Sequence, residues 1–233
     1  HCLLFIKLII LYVFYSVTYN IITMEFDNET IRTAVQFYLQ NKTEATRLYG
    51  HINTWNVSNV TDMNKLFYRA ISFNQPLDKW DVSNVTDMSF MFSFAFSFNQ
   101  SLDDWKDKIS NVTNMESMFE SASSFNQSLN NWNVSNVTCM TGMFAAGSFN
   151  QPLNNWKVGN VTNMEGMFEY AESFNQSLDN WDVSNVKNMS WMFDNTKSFN
   201  QPLNKWTVSN VTTMEGMFTG AKSFNQALPE LEN

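Results

Sequence analysis

The chain has 233 residues, a net charge of −8, and 15% charged and 15% aromatic residues. Its 14 Lys and Arg are spread among 22 Asp and Glu, so the clustered positive field that releases counterions from nucleic acid is absent. Two cysteines, Cys2 and Cys139, stand in unrelated contexts and make neither a disulfide framework nor a metal site.

In chain order, residues 1–23 read as an apolar leader: Leu3-Leu4-Phe5-Ile6, Lys7, then Leu8 through Val17. It is either a signal or anchor segment or an extension upstream of a start at Met24. The stretch after Lys7 falls short of the roughly 20 apolar residues of a comfortable span. A real leader implies the cell surface or exterior, and contact with a membrane only as an anchor; otherwise the compartment is intracellular.

Residues 24–54 read as a helical N-terminal cap. Asp27 or Asn28 can cap a helix over about 29–40, with Ile31, Val35, Tyr38 and Leu39 on one face. A second helix from about Glu44 to Tyr49 ends at Gly50, a suitable C-cap.

Residues 55–228 are seven copies of one unit. Trp recurs at 55, 80, 105, 132, 156, 181 and 206, and Phe at 73, 98, 125, 149, 174, 199 and 224. Such a period marks a stack of coils, each burying its apolar face on the next. Trp80 and Val82, two residues apart, predict a short parallel β-strand. The spacing Val85, Met88, Met91-Phe92, Ala95 predicts a short α or 3₁₀ turn. Ser97-Phe98-Asn99-Gln100 predicts the turn into the next strand. The reading is therefore a repeat solenoid with one strand and one helical turn per coil. Unit three is two residues longer after Trp105, which predicts a bulge at the strand end. Unit four is one residue shorter, with Gly147 easing the turn. Cys139 sits where other units hold Asp, Asn or Thr, and reads as a surface position. Residues 229–233 read as a truncated tail whose uncovered edge leaves end-to-end self-association open.

The unit Phe-Asn-Gln-x-Leu-x-x-Trp-x-Val-Ser-Asn-Val-Thr-x-Met-x-x-Met-Phe-x-x-Ala resembles the repeat of the BspA-like leucine-rich-repeat surface proteins. More narrowly, it is similar to the 25-residue repeat of mycoplasma surface lipoproteins and of some protist and giant-virus proteins. The resemblance covers about residues 50 to 228. It implies a leucine-rich-repeat-like solenoid displayed at a surface for adhesion or protein binding. No cysteine follows the leader, so lipid anchoring is not implied.

The repeating Trp, Met and Phe read as core rather than as a sugar platform. Asn84 and Asn99, present in every unit, read as side-chain ladders bonding neighbouring turns rather than as glycan acceptors. Asp81 and Asp87 become Thr207 and Thr213 in the last unit, which argues against calcium. The only histidines are His1 and His51, and no nucleophile and base are paired; no catalysis and no cofactor are expected. The expected function is a non-enzymatic module that binds a protein or glycan through the outer strand face. Its candidate contacts flank and follow Trp: Lys79, Asp81, Asp104, Lys106, Lys108, Asn131, Asn133, Asn155, Lys157, Asn180, Asp182, Lys205 and Thr207. The alternative is a structural, self-assembling repeat protein without a discrete ligand.

Overall fold

The computed structural model describes residues 24–228; the leader and the tail anticipated at the two ends lie outside them. Two helices open the described chain, α1 (Asn28–Gln40) and α2 (Lys42–Tyr49). Asp27 caps α1, accepting from the N–H groups of Glu29 and Thr30, while the Thr30 hydroxyl accepts from the Asp27 N–H. Gly50 ends α2 at φ 76°, a conformation glycine adopts without steric cost. Ile31, Ala34, Val35 and Tyr38 are buried, whereas Leu39, expected on the same face, is exposed.

Seven coils follow, numbered here from the tryptophans that open them, Trp55 to Trp206. The expected strand does not form. Among the described residues there is no β-sheet, only single parallel bridges: one between Glu25 and Asn56, and a column linking Asp62, Asp87, Asn114, Cys139, Asn163, Asn188 and Thr213 in succession. The chain is therefore not a solenoid with a β-strand per coil, and the leucine-rich-repeat fold implied by the resemblance is overturned. The reason is local. The Trp80 N–H donates back to Leu77 O and the Val85 N–H to Val82 O, so the segment closes into tight turns and offers no extended run to a neighbour. Asp81 reinforces this by accepting from the Ser83 N–H, an Asx turn.

Side chains then join the coils on this side. From Trp80 onward each indole N–H donates to a carbonyl about one repeat back, as Trp105 does to Leu77 O at 2.9 Å and Trp156 to Leu129 O at 2.8 Å. Each second Asn does likewise, Asn111 to Ser83 O and Asn185 to Gly159 O. A third ladder runs through Asn-Gln. Asn99 Oδ1 accepts from the Asn126 N–H and Gln127 Nε2, and Asn126 Oδ1 accepts from the Asn150 N–H and Gln151 Nε2. These bonds satisfy buried peptide groups that strand pairing would otherwise serve.

The expected helical turn does not form either. In Met88–Ala95 the N–H groups of Met88, Phe90, Phe92 and Phe94 donate to the next coil, at Asn114, Glu116, Met118 and Glu120. Those of Met91, Ser93 and Ala95 close onto residues three back. This alternation needs a left-handed residue at every fourth position, and φ is 56° at Phe90 and 58° at Phe94. The same two positions are left-handed in all coils, from Lys65 and Arg69 to Gly216 and Gly220. Met and Phe still point inward: Phe67, Phe92, Phe119, Phe144, Phe168, Phe193 and Phe218 stack at 5.5–5.9 Å.

The helices cover coil 1 by supplying what a preceding coil would. Asn28 Oδ1 accepts from the Thr61 N–H at 2.8 Å, the role Thr61 O plays for the Thr86 N–H at 2.8 Å. Glu25 Oε2 accepts from Asn59 Nδ2, and Arg32 bonds to Asp62 and to Asn64 O. The insertion in coil 3 is absorbed by a 3₁₀ turn, Asp103–Trp105, and a following turn in which the Lys108 and Ile109 N–H groups donate to Trp105 O; with no strand present, it is not a strand bulge. Cys139 lies half-buried in the bridge column and is not a surface position.

Candidate functional site

The coils present two outward faces. The first carries the positions flanking Trp. Lys79, Asp81, Asp104, Asn131, Asn133, Asn155, Lys157, Asn180, Asp182, Lys205 and Thr207 are exposed there, and Lys106 and Lys108 are half-buried. With no strand, this is a row of turns and not a strand face. Several of its members serve the turns. Asp81, Asn133 and Asp182 each accept from the backbone N–H two residues on. Paired with Ser184, the Asp182 carboxyl is held below its ordinary pKa, first by the Ser184 hydroxyl and then by its N–H. Backbone N–H groups of Asn155 and Asn180 donate to Asn130 and Asn154 of the preceding coil, and that of Lys79 to Asn53 just ahead of coil 1. Lys108 Nζ donates to Trp80 O, and Lys205 pairs with Asp179.

The second face is formed by the left-handed turn segments. Alternating bonds hold its columns in register: Lys65, Phe90, Ser117, Gly142, Gly166 and Trp191 each donate to the next coil, as do Arg69, Phe94, Ser121, Ala146, Tyr170 and Asn195. A left-handed residue interrupts the inward Met-Phe pattern, and apart from the buried Ser117 the side chains at these positions are half-buried or exposed, so the columns form a surface.

Chemistry changes sharply along that surface. Coils 1 and 2 are basic and aromatic. The Lys65 ammonium lies 5.2 Å from the Phe90 ring centre, and the Arg69 guanidinium 5.2 Å and 5.7 Å from those of Tyr68 and Phe94, within cation–π range. Phe94 meets Phe96 edge to face at 6.1 Å. Beside them Ile71 is 58% exposed and Phe96 40% exposed, an apolar exposure that the coil core does not require.

Coils 3 and 5 are acidic, with Glu116, Glu120, Glu165 and Glu169, while coil 4 between them has no acidic residue and only small ones, Gly142 and Ala146, at the left-handed positions. Ser117, Gly142 and Gly166 leave the surface low. Burial, followed by the charges of Asp194, Glu120 and Glu165, raises the Glu169 carboxyl above its ordinary pKa. Glu120 accepts from the Ser93 hydroxyl and Glu165 from Asn188. Trp191 stands at the far end.

The sequence reading missed this face because the spacing of three and four was assigned to a helix. A signal was present. At one repeat position the residues run Lys65, Phe90, Ser117, Gly142, Gly166, Trp191, Gly216, and a recurrent glycine beside fixed Met and Phe marks a left-handed position.

Among the described residues no group of three or more His, Cys, Asp and Glu is placed to hold a metal ion, and no helix is long and apolar enough to cross a membrane. The last coil ends in an open apolar hollow of about 430 Å³ lined by Trp206, Val208, Met214, Met217, Phe218 and Leu228.

Compared with known families, the chain matches the one described as "Mycoplasma protein of unknown function, DUF285", over residues 33–148 and 129–232. This supports the mycoplasma part of the resemblance carried by the repeat. A search of curated proteins returned no match.

Proposed function

The chain belongs to the family of Mycoplasma proteins of unknown function, DUF285, and from that premise we propose that it is a non-catalytic binding module whose contact surface is the left-handed turn face. One observation carries this reading. Ile71, Phe94 and Phe96 sit with Arg69 on a regular scaffold whose inward positions already bury the apolar residues that stability needs. Aromatic residues and arginine together are the usual anchors of protein interfaces. A protein segment is the ligand class that fits, with carboxylates opposite Lys65 and Arg69 and apolar side chains against Phe94 and Phe96.

A random peptide library displayed on phage and panned against the full chain tests the proposal. Enriched peptides, resynthesised, bind saturably. The double substitution Phe94→Ser with Phe96→Ser weakens them about tenfold or more, the loss expected when interface anchors are truncated. Lys157→Glu and Asp182→Lys, on the Trp-flanking face, leave binding unchanged. The reverse pattern moves the site to the Trp-flanking face, and a library with no saturable binder overturns the function.

A further inference from the structure

The turn face is complementary to itself, and we propose that it also pairs two copies of this chain side by side, antiparallel, about a two-fold axis running along coil 3. This rests on the reading that the turn face is the binding surface.

The geometry is fixed by symmetry. A two-fold axis lying in the contact plane and along one coil inverts the order of the coils and keeps each column opposite itself. With the axis on coil 3, coil 1 meets coil 5 and coil 2 meets coil 4.

Each pairing is complementary. In size, the outward rings of Phe90 and Phe94 in coil 2 meet Gly142 and Ala146 in coil 4. Coil 4 is also the unit shortened by one residue, and its Gly147 lies in the region opposite exposed Phe96. In charge, Lys65 and Arg69 in coil 1 meet the Glu165 and Glu169 level of coil 5. There the carboxylates crowd one another and raise the Glu169 pKa, so a partner's cations are the groups that relieve them. Arg69 also meets Tyr170, which is 49% exposed, and an exposed ring is a cation–π acceptor. On the axis itself Ser121 meets its own copy, and Ser117, small and buried, leaves room for close approach. The like-charge contacts are Glu116 and Glu120 of coil 3 against their own copies, and each Glu120 already accepts from a Ser93 hydroxyl.

The contact is limited in extent. Five coils at about 4.8 Å each make it roughly 24 Å long, at the small end of stable interfaces. A dimer of micromolar affinity is expected, weakened by salt because its cations and carboxylates face solvent at the rim.

Charge exchange tests the register. In the full chain, Lys65→Glu with Arg69→Glu places acid against acid at both symmetric contacts, and Glu165→Lys with Glu169→Lys places base against base. Sedimentation velocity over the micromolar range should show wild type dimerising and each double variant at least about tenfold weaker. An equimolar mixture of the two variants should dimerise as wild type does, because both contacts then pair opposite charges. Thermal melts confirm that each variant is folded. A monomer at every concentration, a dimer indifferent to both exchanges, or a mixture that stays monomeric overturns the proposal. A monomer that still binds the selected peptides leaves the binding function standing. A rescued dimer with no peptide binder keeps the pairing and overturns the foreign ligand.

Discussion

The Trp191 indole lies flat across Gly216: a Cβ added to Gly216 would sit 2.2 Å from the ring carbons Cε3 and Cζ3. Gly216 is also left-handed, at φ 62°. Gly216→Ala therefore combines a strained backbone with displacement of the ring, and should destabilise the chain by about 1–3 kcal/mol. Gly159 has an ordinary φ and its added Cβ would meet only Asp182 Oδ2 at 3.4 Å, so Gly159→Ala should change urea stability by less than about 0.5 kcal/mol. Equal losses at both positions would refute the left-handed turn.

Ala146 supplies the opposite sign. Its φ is 52° and it is exposed, so its Cβ contributes strain and little packing. Ala146→Gly should stabilise the chain by up to about 1 kcal/mol. In a helix the same change costs about 1 kcal/mol, so the sign of the shift in urea midpoint distinguishes the observed turn from the helix that the spacing suggested.

Asn150 Oδ1 accepts from both the Asn175 N–H and Gln176 Nε2. Asn150→Ala leaves the half-buried Asn175 N–H without a partner and Gln176 Nε2 with the Asn150 carbonyl alone, a loss of about 1–3 kcal/mol. Asn150→Asp keeps an acceptor at the same place and should lose less. A scan of urea midpoints in which alanine and aspartate behave alike would remove the ladder as a source of stability.

Glu169 predicts a pH dependence. Its folded pKa is raised, first by burial and then by Asp194, Glu120 and Glu165. Below the ordinary carboxylate value the group is neutral in folded and unfolded chains, and nothing is lost. As pH rises from that value through the raised one, the folded state holds its proton longer and stability falls. Glu169→Gln should therefore raise the melting temperature at pH 7 and do little at pH 4. An identical shift at both values would mean that charge crowding is not the cause.

Much of this was legible in the residues, and the failures share one cause. The seven-fold period, the Asn ladders, the buried Trp, Met and Phe, and the two N-terminal helices follow from side chains whose spacing reports directly on burial and capping. The strand and the helical turn did not, because periodicity records which residues point inward and not where their N–H groups donate. Trp80 and Val82 share an inward side as they would in a strand, but Asp81 between them closes an Asx turn. Met88, Met91 and Phe92 point inward as in a helix, yet alternate N–H groups leave for the next coil. The turn face was lost with the helix, since left-handed residues such as Phe90 and Tyr170 take their outward direction from φ.

The alternating bonds of the turn segments run only between adjacent coils, as from Phe92 to Met118 and from Phe119 to Met143. Backbone atoms make every bond in that ladder, so the residues at the left-handed positions enter it only through how well they tolerate a positive φ and clear their neighbours. The molecule thus behaves as a rack with exchangeable faceplates: length is set by counting rungs, and the outer pattern can be rewritten wherever the incoming residue accepts a positive φ and clears the side chain beside it. Excising one whole period, from one tryptophan to the next, would bring equivalent donors and acceptors together and shorten the rack by one rung.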